Sequence, residues 1–215
     1  MSYELQTIES SKNKEVLTKK AKEVSFPLNQ DMKALVAEMK KRVLAFGGVG
    51  LAAPQINQPW QVIAVYISDE AAALRKSAEP LGVTLLFNPS YEALDEAGVE
   101  TDWEGCFSVE KTTGKVPRYN KILIKGQNEA GDPVSFEATG FTARVFQHEI
   151  DHINGLLITD RLTPETIHGH PKDMAKMRIQ EMNAAQKAAM KKVILEALEK
   201  GNDKERYEDL LKLLD

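Results

Sequence analysis

The segment QHEIDHINGLL constrains this chain more than any other stretch. His148 and His152 stand four residues apart. On an α-helix that spacing puts both imidazoles on one face, one turn apart, within reach of a single cation. Glu149 follows His148 directly and can lean over the same point. The H-E-x-x-H arrangement therefore supplies two ligands and a candidate general base. The same spacing also suits two histidines satisfied structurally, so the segment alone leaves both readings open. Its surroundings, FTARVFQHEIDHINGLL, carry helical periodicity, and Asn154 and Gly155 are stop signals. Asp151 reads either as a solvated helix residue or as support for a ligating histidine.

Two histidines do not complete a hydrolytic metal site, which usually has three protein ligands and one open position. Downstream the supply is poor. The position six residues after His152 is Ile158, Glu165 follows a chain exit at Pro164, and His168 and His170 read as loop residues. Upstream the one soft ligand is Cys106, in TDWEGCFSVEK, the only cysteine among 215 residues. A single cysteine excludes an internal disulfide framework and fits a reducing cytosol. It reads either as a small buried hydrophobe or as a thiolate that binds metal.

Around these residues the pattern is that of an α+β protein. LNQDMKALVAEMKKRVLAFG predicts a helix, with Leu35, Met39 and Val43 on one face and Gly47 as its stop. WQVIAVYI and VTLLFNPSYEAL predict strands. NKILIKGQNEAGDPVSFEATG predicts a hairpin turning at Gly131 and Asp132. Residues 172–200 predict one long helix with Gly201 beyond it, and DKERYEDLLKLLD a short terminal helix. The polar first 27 residues are expected to wrap the surface. The net charge of −4 gives no reason to expect DNA or other nucleic acid as a global partner. No apolar run approaches membrane-spanning length, and the N-terminus has no signal-peptide core.

Three segments in order, GVGLAAPQ (48–55), EGCFS (104–108) and QHEIDH (147–152), resemble the signature segments of the peptide deformylases. The resemblance runs from about Asp31 to Leu162. It implies antiparallel sheets packed around a central helix that carries the metal motif, plus a C-terminal helical extension. The expected organisation is a catalytic domain over residues 1–165, with residues 166–215 as a helical extension of the same domain. It further implies that Cys106, His148 and His152 hold one divalent ion, Fe²⁺ first, with Zn²⁺ and Ni²⁺ as alternatives. Glu149 is then the catalytic acid/base, and the Gln55 amide and the Phe107 backbone N–H are oxyanion donors. Val49, Gly50, Gly105, Phe141 and Val145 are expected to contact the substrate, and Arg118 to pair with Glu104. The sequence departs from the family pattern in carrying NKEVLTKKAKEV near its N-terminus, Phe107 where leucine is commoner, and VEKTTGKVPR after EGCFS.

The reaction so implied is removal of the N-formyl group from the formylmethionine of newly made polypeptides in the cytoplasm, releasing formate. Two other readings stand beside it: a metalloprotease of the H-E-x-x-H type, and an idle deformylase-like protein that only binds nascent chains or ribosomes. On a single C-terminal helix, Lys172, Lys176, Lys187 and Lys191 share one face, with Gln180 and Asn183 between them. Met174, Ile179, Met182, Ala185, Ala189 and Val193 lie opposite. That lysine face is a candidate contact for the ribosome.

Overall fold

The computed structural model describes residues 3–75, 78–199 and 204–214. In chain order the elements are α1 (Gln30–Ala45), β1 (Gly50–Ala52), β2 (Val62–Ile67), α2 (Asp69–Ala73), β3 (Leu81–Ala93), β4 (Val99–Cys106) and β5 (Val109–Tyr119). There follow β6 (Lys121–Gln127), β7 (Pro133–Thr139), α3 (Gly140–Ile153), β8 (His168–Gly169), α4 (Pro171–Glu181), α5 (Ala184–Glu199) and α6 (Lys204–Leu214). Both sheets are antiparallel: one has the order β1-β2-β3-β6-β7, the other β4-β5-β8. α3 touches strands of both, so the expected central helix between antiparallel sheets is the architecture found.

Local chemistry explains the elements that frame the site. α1 starts where the Asn29 side chain accepts from the Met32 N–H at 2.8 Å, and it buries Leu35, Met39 and Val43 against β2 and β3. The β6–β7 hairpin turns through Gly131, at φ 91°, while Asn128 Oδ1 accepts from the Ala130 and Asp132 N–H groups. α3 packs Phe141, Val145, Phe146, Ile150 and Ile153 into the core of the larger sheet. Its other side is polar yet also buried, and there Gln147 exchanges hydrogen bonds with the Tyr119 backbone at 3.0 and 2.8 Å. A helix buried on both sides needs such pairing for its polar groups.

Strands β4 and β5 are not evident from the sequence. Their segments are polar and interrupted by Gly105, Gly114 and Pro117, because β4 is an edge strand and much of this sheet faces solvent. Residues 3–27 do run over the surface, but Gln6, Thr7 and Leu17 are buried by the docking. The Gln6 N–H meets Gln55 O at 2.8 Å and the Ile8 N–H meets Ser108 O at 2.9 Å, so this segment braces two parts of the site.

The single helix expected over residues 172–200 is two helices. Met182 is extended (ψ 138°), and Asn183 and Gln186 cap each other at 2.9 and 3.1 Å to start α5. An Asn side chain competes for backbone donors and so favours a helix start over a helix interior. The face containing Lys172, Lys176, Lys187 and Lys191 therefore does not exist as one surface, and the apolar row from Met174 to Val193 is likewise divided. Met174 and Ile179 of α4 are buried, whereas Ala185 of α5 is exposed. Gly201 lies outside the described residues, and α6 matches the expected terminal helix.

Candidate metal centre

β4 delivers Cys106 at its last residue, and Phe107 and Ser108 form the two-residue turn into β5. α3 delivers His148 and His152 with ring centroids 5.0 Å apart and planes at 76°. One donor atom from each of Cys106, His148 and His152 lies within 4.8 Å of the others. The Cys106 sulfur is 3.2 Å from His152 Nε2 and accepts from the Ser108 N–H at 3.4 Å. One thiolate and two imidazoles at this separation form a soft N/S donor set that fits a single divalent ion. Gln55 approaches from the short 3-10 turn after β1. Its Oε1 accepts from the Ala52 N–H at 2.8 Å, which aims Nε2 at Cys106 Sγ (3.7 Å) and Ser108 Oγ (3.3 Å).

Behind the donors lies a buried ionic network. Glu104 receives His148 Nδ1 at 2.9 Å, Arg118 at 3.0 Å through each oxygen, and Arg144 at 2.8 Å. Arg118 also bonds Asp151, which is held from the far side by Arg161 at 2.5 Å. Burial alone would raise the Glu104 pKa, but hydrogen bonds from His148 and Arg118 outweigh it and hold the carboxylate well below its usual range. With Nδ1 turned to Glu104, His148 leaves Nε2 for the centre. Burial, then the neighbouring His148, lowers His152 well below 6.5, keeping it in the neutral form that ligates metal. For His148 burial also works downward, yet hydrogen bonds to Cys106 and Glu104 raise it well above 6.5; a cation at the same nitrogen competes with that proton.

Glu149 stands apart from this network. Burial pushes its carboxyl up to about 7, and its Oε2 is buried with no hydrogen-bond partner. Gly50 makes room for it: a Cβ at that position would overlap the Glu149 carboxylate. β1, which carries Gly50, and β4, which carries Cys106, are both edge strands, so two free edges border the cluster.

The structure thus brings Gln55, Cys106, His148, Glu149 and His152 together. Val49 and Gly50 lie on or beside the β1 edge, and Gly105 is exposed on the β4 edge. Phe107 is 38% exposed, with its ring 5.9 Å from that of Phe46 and directly over Gly48, which makes it a rim residue. Phe141 and Val145 are buried in the core. Glu165, His168 and His170 are exposed and outside the cluster. The expected Arg118–Glu104 pair is present. Asp151 takes neither of its two expected roles: it is buried, and it holds arginines instead of a histidine. Sequence reasoning missed the Glu104–His148 bond and the whole of Arg144. The spacing of Arg144 and His148, four residues apart on one helix face, was the available signal, since both meet Glu104.

A family model described as "Polypeptide deformylase" matches residues 6–168. A curated peptide deformylase of Staphylococcus epidermidis is 43% identical over 160 residues, covering 67% of this chain and 83% of the relative. A solved peptide deformylase from Thermotoga maritima superposes with a TM-score of 0.63 at 31% identity, covering 76% of this chain and 99% of the other. A class I type b peptide deformylase from Acinetobacter baumannii, solved with Met-Ala-Ser bound, gives a TM-score of 0.64 at 28% identity, covering 75% and 99%.

Proposed function

Since this chain belongs to the peptide deformylase family, we infer that its Cys106–His148–His152 cluster is the centre at which a formyl group is hydrolysed. The protein is a metal-dependent hydrolase that removes the N-formyl group from the formylmethionine of newly made polypeptides and releases formate. The observation that carries the assignment of residues is the convergence of three soft and borderline donors beside a buried carboxyl with one unpartnered oxygen and an aimed amide. A protease with a downstream carboxylate ligand has no such support, because Glu165 is exposed and outside the cluster.

When bound, a divalent ion supplies Lewis acidity and makes water acidic enough to ionise near neutral pH. The thiolate ligand suits Fe²⁺, with Zn²⁺ or Ni²⁺ as alternatives. Glu149, with its pKa near neutrality, takes a proton from water and delivers it to the departing amine. Gln55 Nε2 donates to the developing oxyanion, held by the Ala52 contact; its present bonds to Cys106 and Ser108 are long enough to be exchanged. The Phe107 N–H, adjacent to the thiolate, is the second donor. Glu104 fixes the tautomer of His148, and Arg118 and Arg144 fix Glu104. The peptide adds as a strand between the β1 edge at Val49 and Gly50 and the β4 edge at Gly105, with Phe141 and Val145 behind its first side chain.

Residues 1–165 form the catalytic domain and residues 166–215 an extension of the same domain; β8 pairing with β5 supports that division. The cytoplasm, where new chains emerge, is the setting such a substrate requires. No helix among the described residues is long and apolar enough to cross a membrane. Ribosome contact through the extension narrows to α4, whose Lys172 and Lys176 are exposed. Salt-sensitive co-sedimentation with ribosomes tests it, and equal sedimentation of a Lys172→Gln/Lys176→Gln variant removes it. The central assignment is tested with Cys106→Ala, which is expected to lose both bound metal and formate release from formyl-Met-Ala-Ser. A variant that keeps one metal per chain and its turnover refutes it.

A further inference from the structure

Two parts of the reaction centre come from sheets that do not pair with each other. Gln55 sits on the 3-10 turn after β1, at the edge of the larger sheet, whereas Cys106 ends β4 of the smaller one. The N-terminal segment crosses from one to the other. The Gln6 N–H donates to Gln55 O at 2.8 Å, and two residues on the Ile8 N–H donates to Ser108 O at 2.9 Å. Gln55 Nε2 in turn reaches Ser108 Oγ at 3.3 Å, and the Ser108 N–H reaches the Cys106 sulfur at 3.4 Å. The crossing and the Gln55–Ser108 contact thus close a ring of hydrogen bonds that includes the amide aimed at the centre and the residue bonded to the thiolate.

The residues around this crossing hold it in place. Thr7, between the two donors, is buried; its N–H donates to Ser11 Oγ at 2.8 Å and its carbonyl accepts from the Ser11 N–H at 3.1 Å. Its hydroxyl meets Ser10 Oγ, which donates to the Glu110 carboxylate at 3.1 Å. Ile8 packs on the cluster of Leu17, Val109, Val116, Leu157 and Ile158, as Cys106 does. The firmest anchor is Glu9, whose two carboxylate oxygens accept from the Glu110 and Lys111 N–H groups at 3.0 Å each. There the β4–β5 register jumps from Cys106–Val109 to Glu104–Gly114, so neither Glu110 nor Lys111 has a paired residue on β4. Where a ladder is interrupted it no longer fixes the backbone, and here a charged acceptor does so. Burial acts to raise the Glu9 pKa, but the Glu110 and Lys111 N–H groups outweigh it and hold the carboxylate ionised at neutral pH.

We propose that Glu9 is a positioning residue for the reaction: through residues 6–8 it sets the separation of the Gln55 amide from the turn after Cys106, and with it the fit of the oxyanion site to the transition state. The inference rests on the deformylase reading above. In that reading the Gln55 amide and the Phe107 N–H meet one developing oxyanion, yet different sheets carry them. α3 ties the sheets together as a whole, whereas the brace ties them at Gln55 itself and one residue from Phe107. Preorganised donors stabilise charge only when aimed at the place where it develops, and a displacement on the order of 1 Å costs up to about 10²-fold in rate.

The test uses metal-loaded full-length protein and formyl-Met-Ala-Ser, well below the melting temperature of every variant. Glu9→Ala is expected to retain its metal and to lower kcat by about tenfold or more, with KM within about twofold of the wild type. Glu9→Gln, which keeps one acceptor oxygen, is expected to fall between the two. A role confined to stability would lower the melting temperature and leave kcat of the folded protein unchanged. In a Gln55→Leu background the same Glu9→Ala change is expected to lower kcat by less than about threefold, because the donor it aims is already gone. In metal-free protein, Glu9→Ala is expected to speed amide exchange at Gln6, Ile8, Glu110 and Lys111 by at least about tenfold, with Leu35 and Met39 of α1 unaffected. Wild-type kcat in Glu9→Ala, or a loss equally large with and without Gln55, overturns the positioning role while formate release by the wild type upholds the hydrolase. Unchanged exchange at all four amides overturns the brace. No formate from the wild-type protein refutes the deformylase reading and this inference with it.

Discussion

At the scale of single residues, Glu149 and Gly50 act as one device. The carboxyl is buried with its Oε2 unpartnered, and burial is the main cause that carries it to about 7. Glu149→Gln replaces it with a neutral group of the same shape that cannot carry a proton. The variant is expected to keep its metal and its melting temperature while turnover on formyl-Met peptides falls at least about 10²-fold. Loss of metal together with activity would make Glu149 a ligand instead. Gly50→Ala puts a methyl where the carboxylate sits. It should depress turnover far more than KM, with metal retained; unimpaired turnover would show that the carboxylate has room elsewhere.

At the scale of elements, α3 and the β4–β5 hairpin are joined by charge more than by apolar contact. Glu104, Arg118, Arg144 and Asp151 are all nearly excluded from solvent, and each has an opposite partner. Removing one member of such a set strands the rest, so Glu104→Ala is expected to cost about 3–5 kcal/mol of stability in chemical denaturation. The acid response follows from the same contacts. A carboxylate whose folded pKa is depressed contributes stability that is fully present above its ordinary value of 4.5. That stability is lost as pH falls from there through the lower folded value. Metal-free wild-type protein should therefore melt at progressively lower temperature below about pH 4.5, and Glu104→Gln should show a lower, flatter profile over that range. Parallel profiles for the two proteins would remove Glu104 as the cause.

At the scale of the whole molecule, the extension beyond residue 168 lies outside the family match but not outside the fold. Trp103 is 3% exposed with its indole N–H on Glu181, and Met174 and Ile179 are buried. Deleting residues 171–215 uncovers this apolar surface and leaves the Trp103 donor without its acceptor. The truncated protein is expected to melt several degrees lower, as a loss of about 2–3 kcal/mol would produce in a chain this size. An unchanged melting temperature would show that the extension is a passenger.

The chemistry of this protein was legible in its sequence because it is local. His148 and His152 share a helix face through spacing alone, Glu149 is covalently next to a ligand, and Cys106 is the one thiol the chain contains. Resemblance of three short segments then joined Cys106 and Gln55 to that helix. The helices α1 and α3 were legible for the same reason, since burial of one face imposes a period on the sequence, and β2 and β3 were legible from their β-branched and aromatic content. What the tertiary structure decided is whatever depends on partners distant along the chain. The Arg118–Glu104 pair was expected, but that Arg144 also meets Glu104 and that Arg118 and Arg161 both hold Asp151 depends on how distant elements pack. β4 and β5 carry too few apolar residues to announce a sheet, because β4 is an edge strand and much of this small sheet faces solvent. The break at Met182–Asn183 was decided by which of two local bonding patterns the packing of α4 on β5 and α5 on α2 would favour. Periodicity measures a single face, whereas a buried charge is stabilised only by its partner, and no spacing along one chain encodes where that partner will be.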